Sequence, residues 1–108
     1  MLIGVPKEVK NHEYRVGLTS EAVAELTQNG HRVLVERGAG VGIGCDDRTY
    51  AAAGATLSTT DEVFDEAELI VKVKEPQPNE IRMLRPEQVL FTNFHLAADA
   101  AQTEQLLA

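Results

Sequence analysis

The sequence predicts an α/β fold, a parallel sheet flanked by helices. Two observations carry that prediction. Short apolar runs bounded by Gly, Pro and Asn alternate with amphipathic helical stretches, the pattern of strand–helix–strand units. A chain of 108 residues is also one domain at most, long enough to bury a modest core. Such an open sheet is Rossmann-like (flavodoxin-like). In it, side chains at the carboxyl ends of the strands face the ligand crevice.

The elements follow in order. Leu2-Ile3-Gly4-Val5 reads as the first strand, stopped by Pro6, and a polar loop runs from Lys7 to Gly17. Thr19 or Ser20 can cap a helix through Gln28, with Ala22, Val23 and Leu26 on its buried face and Gly30 as its stop. Arg32 to Val35 is the second strand. A glycine-rich loop, Gly38 to Gly44, leads to a short helix from Asp46 to about Ala53. Thr56-Leu57-Ser58 is a brief edge strand, and a helix spans Thr60 to Ala67 before the strand Glu68 to Val73. Pro76 and Pro78 mark a turn ahead of a helix from Asn79 to Leu84. Val89 to Asn93 is the last strand, its Val89-Leu90-Phe91 run expected to be buried. From about Ala97 onward the chain is rich in helix formers and stops without a capping residue. Met1 reads as a true start and Ala108 as a cut, so a fragment of a longer polypeptide is expected.

Composition narrows the function classes. Ten Lys and Arg against 17 Asp and Glu give a net charge of -7, which argues against nucleic acid as a partner. The single cysteine, Cys45, cannot form an internal disulfide and suits a reducing compartment. No apolar run approaches the roughly 20 residues that span a membrane, and the N-terminus lacks a signal peptide's basic start and apolar core. A cytoplasmic protein without membrane or nucleic-acid partners is the expectation.

Three side chains in strand-end or loop settings suggest a site for a small carboxylate. Arg15 carries a guanidinium that can grip a carboxylate through two parallel hydrogen bonds, a geometry lysine lacks. Lys74 lies just beyond the carboxyl end of its strand, on the same facing as Lys72, where an ammonium can touch a substrate oxygen. His95 follows the last strand, and imidazole is the side chain whose proton moves most readily near neutral pH. Taken singly, each has a plainer and commoner reading. Arg15 is then a solvated charge, Lys74 a surface cation paired with Glu75, and His95 a core histidine satisfied by a backbone carbonyl. His12 and His31 read as surface residues, and no spacing suggests a metal site. Gly38 to Gly44 follows a strand but places its glycines at every second position, with no Gly-x-Gly-x-x-Gly. Cys45-Asp46-Asp47 puts carboxylates where a pyrophosphate needs donors, so the loop reads as a tight structural turn.

A resemblance changes these weights. Met1 to Glu8, Glu13-Tyr14-Arg15-Val16, Gly38 to Gly42, Val71 to Pro76 and Phe94-His95-Leu96-Ala97 together resemble, in order, the opening of the alanine dehydrogenases. That family's reaction is the reversible NAD-dependent oxidative deamination of L-alanine to pyruvate and ammonium. The resemblance implies that Arg15 and Lys74 hold the substrate's carboxylate and carbonyl end and that His95 is the catalytic acid/base. It also implies that residues 1–108 are the first half of a split substrate domain. NAD would be bound by a central domain absent from this chain, and the whole enzyme would be a homohexamer, with the fragment inactive alone. The alternative is the N-terminal domain of the NAD-binding alpha subunit of proton-translocating nicotinamide nucleotide transhydrogenase. Saccharopine dehydrogenases are more distant relatives. A non-enzymatic assembly module is the remaining reading.

Overall fold

The computed structural model describes residues 1–9 and 13–92. Five strands form one sheet: β1 (Leu2–Val5), β2 (Arg32–Glu36), β3 (Thr56–Ser58), β4 (Leu69–Lys72) and β5 (Val89–Thr92). Every strand pair is parallel, and the order is β3-β2-β1-β4-β5. This is the order of the first five strands of the dinucleotide-type doubly wound sheet, not the 2-1-3-4-5 order of flavodoxin, so the Rossmann-like half of the expectation is the apt one.

Four helices connect the strands: α1 (Ser20–Gln28), α2 (Asp47–Ala52), α3 (Thr60–Glu66) and α4 (Pro78–Ile81). The first three begin on side chains that satisfy orphan backbone donors. Thr19 accepts from the Ala22 N–H, Asp46 from Thr49, and Thr59 from Glu62. Glu62 answers by accepting the Thr59 N–H at 3.0 Å, which completes a capping box.

Strand alternation divides the core into two layers. Ile3, Val5, Val33, Val35 and Val71 pack with Val23 of α1 and Tyr50 of α2. Leu34 and Ile70 face the other way, onto Val63 and Phe64 of α3 and onto Ala67. A period of two in the strands therefore becomes helices on both faces.

Several boundaries differ from the sequence reading. β4 starts at Leu69 and ends at Lys72, and α4 is a single turn from Pro78 instead of a helix reaching Leu84. The glycine-rich loop contains a 3-10 turn at Val41–Ile43 that composition did not reveal. β5 corrects the expectation of a buried strand. It is the sheet's edge, and Val89 and Phe91 are 56% and 62% exposed because no described helix covers that side of it. His31 is half-buried, not a surface residue, and among the described residues its buried Nδ1 has no hydrogen-bond partner.

Candidate functional site

The chain leaves β1 for β2 and β3 on one side, then returns to β4 and β5 on the other. The strand order thus reverses between β1 and β4, and open α/β sheets bind ligands beyond the carboxyl ends at that crevice. The β1–β4 ladder is short, with only Ile3↔Leu69 and Gly4↔Ile70 in register. Beyond it, a side chain takes over the pairing. The Glu8 carboxylate accepts the N–H of Val73 at 3.0 Å and of Lys74 at 3.2 Å, and the Lys72 ammonium at 3.2 Å.

Lys72 is itself buried, and its Nζ also meets Glu80 Oε2 at 3.0 Å. Glu80 in turn accepts the Gln77 N–H at 2.9 Å at the start of α4. A buried ammonium is tolerated only when paired and hydrogen-bonded, and here two buried carboxylates flank it. Backbone donors hold both carboxylates, two on Glu8 and one on Glu80. The network is therefore a clamp across the crevice floor, and it sets the backbone from which Lys74 projects.

Above that floor, Glu13 gathers the two cations singled out in the sequence. Its Oε2 accepts the Arg15 Nε at 3.1 Å, its Oε1 accepts Nη2 at 3.1 Å, and the Arg15 backbone N–H reaches Oε2 at 2.9 Å. The Lys74 ammonium lies 3.8 Å from Oε1. Arg15, through these hydrogen bonds, holds the Glu13 carboxyl below the usual carboxylate range, so it is charged near neutral pH. The Glu13 side chain is 6% exposed and that of Arg15 60%. The acid lies beneath and the guanidinium faces outward, between two cavities. One, of 500 Å³, is lined by Arg15, Thr19, Val71, Val73 and Phe91 among others. The other, of 280 Å³, lies between Arg15, Glu13, Lys7 and the glycine-rich loop.

Close backbone contacts hold the Arg15 loop in place. A Cβ on Gly17 would overlap the Val71 carbonyl oxygen, and one on Gly42 would overlap that of Tyr14. Glycine at these two positions lets the loop lie directly on β4 and on the glycine-rich loop. The buried Tyr50 hydroxyl donates to the Leu18 carbonyl at 2.7 Å and ties α2 to the same segment.

In the glycine-rich loop most backbone donors are already taken. Its Gly38 N–H donates to Asp47 Oδ1, and the N–H groups of Ala39, Val41, Ile43, Gly44 and Cys45 are spent on carbonyls nearby. Among the described residues no cluster of three or more His, Cys, Asp or Glu could hold a metal ion, and no helix is long and apolar enough to cross a membrane.

Of the three sequence candidates, Arg15 and Lys74 share one carboxylate, whereas His95 lies outside the described residues. The sequence reading missed Glu8, Glu13, Lys72 and Glu80. Lys72 carried a signal: a cation inside the apolar run Leu69 to Val73 demands buried partners. The carboxylates carried none, because nothing local distinguishes them from the chain's other acids.

Residues 4–108 match the family model described as the alanine dehydrogenase/PNT N-terminal domain. This chain belongs to that family. An alanine dehydrogenase of Mycolicibacterium smegmatis is 51% identical over 109 residues, covering 100% of this chain and 29% of that protein. A solved L-alanine dehydrogenase matches with a TM-score of 0.89 at 47% identity, over 98% of this chain and 29% of that one. A solved transhydrogenase from Sinorhizobium meliloti reaches the same TM-score of 0.89 at 29% identity, over 98% of this chain and 30% of that one. The family's backbone thus serves both kinds of relative, and at the level of side chains this member is more similar to the dehydrogenase.

Proposed function

We propose that this chain is the N-terminal part of the substrate domain of an NAD-dependent alanine dehydrogenase, interconverting L-alanine with pyruvate and ammonium. The observation that carries the reading is the convergence of Arg15 and Lys74 on one carboxylate at the point where the strand order reverses. In this reading Arg15 binds the substrate carboxylate through its planar fork. Lys74 meets the carbonyl end, where a cation stabilises negative charge developing on oxygen. His95, which follows β5 in sequence, is the acid/base that moves the proton there.

The nicotinamide cofactor is proposed to be held by a domain outside this chain. That cofactor supplies the hydride chemistry. The residues of this chain anchor and orient the acid, which converts a bimolecular encounter into a positioned reaction. The whole protein is proposed to be a cytoplasmic homohexamer, and this portion alone to be inactive. Identities of 51% and 47% to dehydrogenases, against 29% to the transhydrogenase, favour this reading over the alternative.

The test is NADH oxidation by the full-length polypeptide, given pyruvate with and without ammonium. Oxidation that requires both is expected. Hydride exchange between nicotinamide nucleotides, with no need for pyruvate, would move the chain to the transhydrogenase branch. In the active enzyme His95→Ala should lower turnover by about 10²- to 10⁴-fold, the usual share of acid/base catalysis. A rate near that of the parent would return His95 to a structural role.

A further inference from the structure

Glu13 occupies a place the substrate roles above leave unexplained: a carboxylate of the chain set against the two cations proposed to hold the substrate. We propose that Glu13 is a positioning and specificity-determining residue that makes Arg15 and Lys74 a receptor for a single monocarboxylate. The inference rests on the substrate roles proposed above for these two cations.

The grip is one-sided. Glu13 takes the Arg15 backbone N–H, Nε and one N–H of Nη2, which is the lateral face of the guanidinium. Five donors lie in a rigid plane, so the end-on fork of Nη1 and Nη2 remains for a second carboxylate. Among the described residues no hydrogen-bond or ion-pair partner takes Nη1. Burial agrees with this division, since the acid is almost covered while the arginine is mostly open. Were Glu13 a plug seated in the substrate's own position, it would block the end-on fork and stand at the open surface. It does neither.

The charge count sets the specificity. Among Arg15, Lys74 and Glu13 themselves, two cations share one carboxylate and leave a single net positive charge. That matches the charge of a 2-oxo monocarboxylate. A substrate with a second carboxylate would bring a surplus negative charge beside Glu13, a like-charge contact that discriminates against it.

The experiment uses the full-length polypeptide with Glu13→Gln and Glu13→Asp. Calorimetric binding of pyruvate is read alongside steady-state kinetics with pyruvate and with oxaloacetate. Glu13→Gln should raise the pyruvate Kd and KM by about tenfold or more, with kcat changed by only about threefold, because the misplaced group is an anchor. It should also narrow the preference for pyruvate over oxaloacetate in kcat/KM by about tenfold. Glu13→Asp keeps the charge and should recover most of that preference. Tighter pyruvate binding in Glu13→Gln would make Glu13 a plug and overturn the proposal. A variant with lowered Tm and kcat but an unchanged preference would make Glu13 merely structural and also overturn it. If the parent binds pyruvate yet oxidises no NADH, the reaction fails while the binding comparison still judges Glu13. If the parent binds no pyruvate, the substrate reading and this inference fall together.

Discussion

Lys72 and Lys74 stand two positions apart on one strand end, yet they live in different dielectric worlds. Lys72 is buried between Glu8 and Glu80, whereas Lys74 is half-open beside Glu13. Removing one member of a buried charged set leaves the others uncompensated, typically at about 3–5 kcal/mol. Lys72→Met should therefore lower stability by about that amount, measured as a shifted urea midpoint at constant slope. The triple change Glu8→Gln, Lys72→Met and Glu80→Gln, which removes all three charges, should cost less than Lys72→Met alone. If the single change is as mild as a surface substitution, the network is not what closes the crevice floor. The same contrast limits what single residues reveal. Arg15 and Lys74 were legible in the sequence because their motifs resemble, in register, those of the alanine dehydrogenases, which outweighed the commoner reading of each as a surface charge. Glu13 was not, because its meaning lies in what a distant lysine and a neighbouring arginine do around it.

At the scale of the element, α3 shows how local chemistry fixes a boundary. Thr59 and Glu62 exchange hydrogen bonds at its start, so Thr59→Ala should cost about 1 kcal/mol at neutral pH. Glu62 adds a part that depends on pH. The Thr59 backbone N–H, its largest influence, holds the Glu62 carboxyl below its ordinary 4.5. A folded value below the unfolded one means the stabilisation is present above the unfolded value and fades as pH falls through the folded one. Glu62→Gln should therefore destabilise the protein at neutral pH, and the gap should close in acid below that folded value. Urea unfolding at both pH values checks this, and a gap that persists in acid would refute it. Elements with such signals stood where the sequence put them: β1, α1 with its Thr19 cap, and the edge strand β3. β4 ended before Val73 because that residue gives its N–H to Glu8, and α4 stopped at Ile81 because Met83 and Leu84 donate to the carbonyls of Glu80 and Ile81 in tighter turns. β5 misled because three apolar residues in a row do not say which strand will be the edge.

For the whole molecule, alternation of strands and helices was enough to foresee a parallel sheet covered on both faces, since each apolar stripe must find a partner. Strand order was not, because order depends on which crossovers pass over which face, and no residue records that. The chain spans 29% of the length of its M. smegmatis relative, and Val41, Ile43 and Phe91, which line the crevice cavities, stay exposed. The sheet's pivot is the short β1–β4 ladder, after which the Glu8 carboxylate takes the N–H groups of Val73 and Lys74 in place of backbone rungs. A backbone rung has a fixed span, whereas this one has the reach of a carboxylate on two methylenes. The mouth of the crevice is thus gauged by the length of one glutamate side chain, and the spacing of everything mounted on its two lips is inherited from that ruler.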